Sequence, residues 1–205
     1  MATAAIIDYG LCNLDSVARA IEDCGGKAII TDQAADIERA THIILPGVGA
    51  FRDAMRNLKA GGLDEVLGEQ VVGKQIPFLG ICLGLQLLAA IGTEGGESSG
   101  LGWIAGRVER FTPTPTERRI PHIGWNEVHF ERETPLFRGI ASGRDFYFVH
   151  SYHIRPDNAA EIVAHTPYCG QFVSAIQRDW IHAVQFHPEK SQKVGFQVLR
   201  NFLTL

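Results

Sequence analysis

Residues 76–92 read "IPFLGICLGLQLLAAIG", and how this stretch folds decides the architecture of the chain. It is just short of a membrane-spanning length and is broken by Pro77, three glycines and Gln86. It therefore reads as a buried strand, "IPFL", followed by a helix, "LGLQLLAAI". Cys82 sits at the junction. Taken alone, a free cysteine is more often a small core residue than a nucleophile. Here its setting is G-x-C-x-G, the thiol counterpart of the G-x-S-x-G elbow, which carries a nucleophile on a sharp strand-to-helix turn. Gly80 and Gly84 leave room where a side chain would crowd neighbouring backbone. The helix start behind Cys82 adds a positive partial charge that favours thiolate over thiol.

Outward from this stretch the chain alternates. "AAIID" (4–8) reads as a strand, and "NLDSVARAIEDCGG" (13–26) as a helix with Asn13 as N-cap, Leu14, Val17, Ala18 and Ile21 as its buried stripe, and Gly25 and Gly26 as its stop. "KAIIT" (27–31) and "THIILPG" (41–47) are further strands, and a helical stretch follows from about Phe51 to Val72. This βαβα order predicts an α/β fold: a central, mostly parallel sheet with helices on both faces. After the loop "TEGGESSG" (93–100) the chain becomes β-rich, with strands expected at "GRVERF", "EVHF", "DFYFVHSYHI", "EIVAHT", "QFVSAI" and "WIHAVQF". "TPTPTERR" (112–119) is short and flanked by strands, so it reads as a surface loop, leaving residues 1–205 as a single domain. "SQKVGFQVLRNFL" closes the chain as a helix capped by Ser191, with Val194, Val198 and Phe202 on one face.

Composition narrows the function. A chain of 205 residues with 45% apolar content can build a sizeable core. Its 19 basic and 23 acidic residues give a net charge of -4 with no long run of like charge, which argues against nucleic acid or an anionic membrane as partner. The four cysteines are far apart and form no C-x-x-C pair, so neither a disulfide scaffold nor a metal site is signalled, and no cofactor is called for. The start lacks a positively charged leader, and a cytoplasmic location is expected.

A thiolate nucleophile needs a base and a group that orients it. "QFHPEKS" (185–191) supplies His187 and Glu189 two residues apart, with Pro188 stiffening the link so that the imidazole can face the thiol while the carboxylate fixes its tautomer. In isolation such a turn is bland. The other seven histidines have no comparably placed acid; Glu161 and His165 would pair only on a helix, and that segment reads as a strand. An oxyanion site is the third requirement. The Leu83 amide can provide one donor and the glycine-rich loop "LPGVGAF" (45–51) a second, at the carboxyl edge of the sheet where α/β sites form.

These segments resemble the class I (triad-type) glutamine amidotransferases, and among them the HisH-type glutaminase subunits of imidazole glycerol phosphate synthase. The likeness runs through "DYGLCNLDSV", "LPGVGAF", "LGICLGLQLL", "GLGWIAGRV", "PHIGWNEV", "YFVHSYH", "YCGQFVSA" and "QFHPEKS". The elbow and the His-Pro-Glu turn are shared by the whole class; PGVG, the Asp-Tyr-Gly start and PHIGWN narrow it. The resemblance implies a flavodoxin-like fold and hydrolysis of L-glutamine to glutamate and ammonia, with Cys82, His187 and Glu189 catalytic. It further implies that Gly47, Val48, Gly49, Leu83, Gln86, His150, Ser151 and Tyr152 bind substrate. The ammonia would pass to a (β/α)8-barrel cyclase subunit, HisF, in a heterodimer that forms imidazole glycerol phosphate and 5-aminoimidazole-4-carboxamide ribonucleotide in histidine biosynthesis. Asn13, Trp125, Asn126 and Lys190 match positions that face the cyclase, and the PGVG loop is expected to lack a correctly aimed amide until the liganded cyclase arrives.

The bland readings are a solvent-facing helix side chain for Gln86, an ordinary strand end for "YFVHSY", and, for the four cyclase-facing positions, a helix cap, a buried indole and two surface polar groups. Cys12 departs from a common glycine and would strain its loop if φ > 0 were needed there, and Cys169 lies in an unusual Tyr-x-Gly turn. Two other functions stay open: a paralogous glutaminase feeding a different synthase, for instance one that amidinates a surface sugar, and a non-catalytic binding subunit.

Overall fold

The computed structural model describes residues 1–117 and 119–205; Arg118, within the loop expected at 112–119, lies outside them. Among the described residues, thirteen strands and six α-helices follow in chain order. They are β1 (Thr3–Ile7), α1 (Leu14–Asp23), β2 (Lys27–Thr31), α2 (Ala34–Arg39), β3 (His42–Leu45), α3 (Phe51–Ala60), α4 (Leu63–Leu67), β4 (Phe78–Ile81), α5 (Leu83–Gln86), β5 (Ala89–Gly92), β6 (Ser98–Ser99) and β7 (Ile104–Arg110). The chain continues with β8 (His122–Phe130), β9 (Arg144–His150), β10 (Tyr152–Pro156), β11 (Ile162–Thr166), β12 (Phe172–Arg178), β13 (Ile181–Val184) and α6 (Gln192–Phe202).

Nine strands form the main sheet in the order β2-β1-β3-β4-β13-β12-β11-β8-β9. The first five are parallel, as the βαβα pattern predicts; β12, β11, β8 and β9 extend the sheet antiparallel. A second sheet, β10-β7-β5-β6, packs beside it. The α/β expectation with a β-rich second half therefore holds.

Side-chain alternation along the central strands explains why both faces are covered. Ala5, Ile7, Ile43, Leu45 and Phe78 point into one core with Ile37 of α2, Met55 and Leu58 of α3, and Leu67 of α4. Ala4, Ile6, Ile44, Leu79 and Ile81 point into the other, with Val17 and Ile21 of α1 and Val198 and Phe202 of α6. Strands buried on both faces read as continuous apolar runs, which is why "HIIL" and "FLGI" carry no polar alternation.

Several local expectations are corrected. Asn13 occupies the N-cap position of α1, but its side chain makes no capping hydrogen bond, and the buried positions are Val17, Ala20 and Ile21, with Leu14 and Ala18 only half-buried. The helix expected from Phe51 to Val72 is interrupted at Gly61–Gly62, where φ of Gly62 is +65°, and it ends in a π-helical turn over Gly68–Gly73. "DFYFVHSYHI" is two strands, since Ser151 is where the chain leaves the main sheet for the second one. Helix α6 buries Val198 and Phe202 as expected.

Phe202 is fully buried and meets His42 edge-on, closing the core between α6 and the parallel strands. Replacing it with alanine should cost about 3–5 kcal/mol of stability, read as a lower midpoint in urea unfolding with an unchanged slope.

Candidate active site

β4 runs straight into α5, and the residue between them takes the strain. Cys82 has φ 55° and ψ −105°, a left-handed backbone costing on the order of 1–3 kcal/mol for a residue with a Cβ. The turn is tight because β4 is wedged between β3 and β13. A Cβ on Gly84 would stand 1.8 Å from the Leu45 carbonyl oxygen, and one on Gly80 would stand 2.8 Å from that of Gly84. Both glycines are thus required by close backbone approach, as the elbow pattern predicts.

The helix behind the elbow is far shorter than "LGLQLLAAI" suggests. α5 is one turn, and Ala89–Gly92 instead form β5, paired with β7 and β6. Residues 83–89 of the run are buried without a break, so nothing in their periodicity separates helix from strand; hydrogen bonds from Leu101 and Ile104 to the carbonyls of Leu87 and Leu88 decide the matter. One turn sums too few peptide dipoles to act as expected on the thiol.

β13 lies beside β4 in parallel register, and the Cys82 amide donates to the Val184 carbonyl at 2.8 Å, so the residues after β13 emerge next to the elbow. His187 opens a 3-10 turn over Pro188–Lys190. Ser191 holds this turn: its buried hydroxyl donates to the His187 carbonyl at 2.6 Å and accepts from the Tyr147 amide at 3.0 Å. That is why Ser191, at the N-cap position of α6, does not cap the helix. His187 Nδ1 meets Glu189 Oε1 at 2.8 Å with both side chains almost wholly buried.

Burial opposes charge on His187, but the negative charge available at the Cys82 sulfur and at Glu189 outweighs it and raises the imidazole to about 10. Nε2 of His187 is buried and has no partner within full hydrogen-bond geometry, yet the ring lies close enough to the Cys82 sulfur for the sulfur to favour its charged form. The arrangement can hold a proton on His187 while negative charge resides on sulfur.

A cavity of about 250 Å³ opens over the elbow. Val48, Gly49, Cys82, Leu83, Gln86, His150, Ser151 and Tyr152 line it, together with Val149 and Glu94. Gly47 lies behind the wall, where a Cβ would fall 2.0 Å from the Tyr9 hydroxyl. Gln86 is buried rather than solvent-facing, so its bland reading fails. Glu94 is the residue that sequence reasoning missed: it sits in a loop, accepts from the Phe51 amide at 2.9 Å, and is the one carboxylate on the cavity wall. Neither of the two acids in "TEGGESSG" carries a local signal of such a placement.

One carbonyl orients the polar groups around the cavity. Tyr152 O accepts from Gln86 Nε2 and from His150 Nδ1, each at 2.8 Å. His150 therefore carries its proton on Nδ1, and its Nε2 faces His122 Nδ1 at 3.4 Å as an acceptor. His122 Nε2 in turn accepts from Asn126 Nδ2 at 3.2 Å. Desolvation lowers His122 to about 4 and His150 to about 3, so both are neutral at pH 7.

The two amides expected to bind an oxyanion are both engaged. Leu83 N–H points at the Gly47 carbonyl at 3.4 Å, a long contact, and Val48 N–H donates to the Leu11 carbonyl at 2.8 Å.

Among the expected interface residues, Asn13, Trp125 and Lys190 are exposed; Trp125 is not a buried indole but stands 48% exposed against Tyr147. Asn126 is not a free surface group, since its amide also donates to Pro167 O at 2.9 Å. Two other histidines do have acids, contrary to expectation. His129 pairs with Glu127 at 3.1 Å and His165 with Glu131 at 2.9 Å, but both acids are exposed to solvent. Cys12 has an ordinary φ, so the feared strain is absent; its thiol contacts Pro46 O at 3.1 Å, and burial pushes it up to about 11. Cys169 does adopt a positive φ of 50°. All four cysteines are free thiols, and no helix among the described residues is long and apolar enough to cross a membrane.

Comparison with known proteins places the chain in a family. Residues 5–205 match the family model described as glutamine amidotransferase class-I. The chain is 47% identical to imidazole glycerol phosphate synthase subunit HisH of Syntrophotalea carbinolica, over 96% of this chain and 97% of that protein. It is 48% identical to the subunit of the same name from Moorella thermoacetica, over 98% and 94%. Among solved structures, one described as glutamine amidotransferase superposes with TM-score 0.76 at 18% identity, covering 98% of this chain and 97% of that one. PurLQS from Thermotoga maritima superposes with TM-score 0.73 at 17% identity, covering 100% and 99%. Identities this low speak to the fold alone.

The neutral histidines give a pH signature. An unfolded histidine takes up its proton near pH 6.5, whereas His122 and His150 resist protonation in the fold, so the unfolded state binds more protons between these limits and stability must fall as pH drops from about 6.5 toward 4. Urea unfolding across this range should show that decline, and nitrogen-15 spectra should show both rings as neutral Nδ1–H tautomers at pH 6.

Proposed function

Because the chain belongs to the class-I glutamine amidotransferase family, we propose that it is the glutaminase subunit of an imidazole glycerol phosphate synthase, releasing ammonia from L-glutamine for a partner subunit in histidine biosynthesis. The observation that carries the reading is the strained Cys82 on the wall of a cavity large enough for glutamine, with the buried His187–Glu189 pair behind it. Residues 1–205 act as one glutaminase unit in the cytoplasm, and the partner is the (β/α)8-barrel cyclase HisF.

The Cys82 thiolate attacks the side-chain carboxamide carbon. The proton on His187 Nε2 passes to the departing nitrogen, the C–N bond breaks, and ammonia leaves a γ-glutamyl thioester on Cys82. His187, now neutral, takes a proton from water as that water attacks the thioester, and glutamate is released with the thiolate restored. Glu189 keeps the imidazole in the productive tautomer and stabilises its charge throughout. Both protons of Gln86 Nε2 are used within the protein, on Tyr152 O and Gln185 Oε1, so its Oε1 is the atom left to receive a substrate N–H. Glu94 fits the substrate α-ammonium, because it brings negative charge to the cavity wall. Asn13, Trp125, Asn126 and Lys190 belong to the cyclase-facing surface.

The oxyanion donors are the amides of Leu83 and the PGVG loop. The hydrogen bond from Val48 N–H to Leu11 O supports a gated site: that bond has to open before the loop can offer its amide to substrate. Ammonia released into water would largely be protonated and lost as a nucleophile, and gating by the liganded partner prevents this waste.

Three results are expected. The isolated chain should hydrolyse glutamine slowly and accelerate strongly when the cyclase and its nucleotide ligand are added; full activity alone would overturn the gating. Cys82→Ala should abolish ammonia release while partner pull-down is retained. Glu94→Gln should raise KM for glutamine about tenfold or more with a smaller change in kcat, in line with roughly 1.5–3 kcal/mol for a hydrogen bond to a charged group.

A further inference from the structure

Gln185 lies two residues before His187, is wholly buried, and enters the mechanism above only as an acceptor for Gln86. Its backbone continues the β13–β12 pairing through a bond from Gln185 N–H to Ser174 O at 2.9 Å, so the side chain is anchored on a rigid element. Its Oε1 lies 3.0 Å from Gln86 Nε2, and its Nε2 lies 3.5 Å from the Cys82 sulfur.

The orientation of this amide is forced. Tyr152 O can only accept, so the Gln86 atom facing it must be Nε2. The second proton of that nitrogen requires an oxygen, which makes the facing Gln185 atom Oε1 and turns the Gln185 NH₂ toward sulfur. A flipped Gln185 would set nitrogen against nitrogen and oxygen against sulfur. The titratable side chains that feel charge on the sulfur are His187 and Tyr9; His187 Nε2 makes no formed hydrogen bond, and the Tyr9 hydroxyl donates to Pro46 O at 2.8 Å. Among the described residues, Gln185 is the one side chain whose N–H meets the sulfur with full hydrogen-bond geometry.

We infer that Gln185 is a positioning residue for the nucleophile: its N–H holds the Cys82 sulfur in a fixed rotamer, while its Oε1 ties that sulfur to the substrate-holding Gln86. A hydrogen bond to an ionised acceptor is stronger than one to its neutral form, so the donor favours the thiolate. The link also sets the distance between the attacking atom and the group that orients the substrate carboxamide, and it does so before substrate arrives. The inference rests on the reading of Cys82 as the nucleophile.

The test is the pH profile of Cys82 alkylation by iodoacetamide, read by mass spectrometry on the full chain, together with glutaminase kinetics in the presence of the cyclase. Gln185→Glu preserves shape and the acceptor toward Gln86 but sets a carboxylate oxygen against sulfur. It should move the alkylation midpoint up by at least one pH unit and lower kcat at least tenfold, with KM within about twofold. Gln185→Met removes both bonds and should shift the midpoint upward by less while raising KM, because Gln86 is released. A measurement on the unaltered chain guards against variants that do not fold: the Gln185 side-chain amide signal in nitrogen-15 spectra should move as Cys82 titrates, and that response should vanish in Cys82→Ala. Alkylation profiles that overlay the wild type, or an amide signal indifferent to Cys82, would overturn the role of Gln185. If Cys82→Ala itself retains turnover, the nucleophile assignment fails instead, and the two outcomes are told apart by that variant.

Discussion

The left-handed turn at Cys82 is the constraint on which the rest of the site depends. It can exist only because Gly84 lets the chain pass against the Leu45 carbonyl at the end of β3 and because Gly80 admits the turn from below. This threading ties three neighbouring strands together: β3 delivers the PGVG loop, β4 the cysteine, and β13 the segment from Gln185 to Glu189. Residues more than a hundred positions apart become neighbours because parallel strands all present their carboxyl ends to the same edge. The strain stored at Cys82 is offset by the burial of Leu83, Leu85, Leu87 and Leu88 on the far side of the turn.

A second ordering principle is the Tyr152 carbonyl. It sits at the switch between the two sheets, just past Ser151, and both of its lone pairs are used. Its demand for donors propagates in two directions, through Gln86 and Gln185 to the sulfur and through His150 and His122 to Asn126. Buried amides and imidazoles are otherwise ambiguous in direction, and an acceptor-only group at the branch removes the ambiguity.

The histidines show how partner chemistry decides whether burial prevails over charge. His150 and His187 are both nearly inaccessible. His150 faces a carbonyl and another imidazole, so desolvation lowers it to about 3; His187 faces a carboxylate and a sulfur that can be anionic, and it is raised to about 10. The surface pairs His129–Glu127 and His165–Glu131 have similar distances, but water competes for their acids, which is why spacing to an acid alone would not single out the candidate site.

Much of this was legible from local pattern. The apolar runs at β1, β3 and β4, the glycines flanking Cys82, and the two-residue spacing of His187 and Glu189 each encode interactions between near neighbours in the chain, so the α/β class and the outline of the candidate site could be read from the sequence by itself. Tertiary structure alone decided that "LGLQLLAAI" becomes one helical turn and a strand, because β7 supplies the hydrogen-bonding partner. It alone brought Glu94 to the cavity wall, spent the Val48 amide on Leu11 O, took the hydroxyl of Ser191 from the helix cap it was expected to serve, and aimed Gln185 at the sulfur. The physical reason is range: periodicity and capping signals report on contacts a few residues away, whereas Gln185 and Cys82 stand 103 positions apart and meet only when parallel strands are laid side by side.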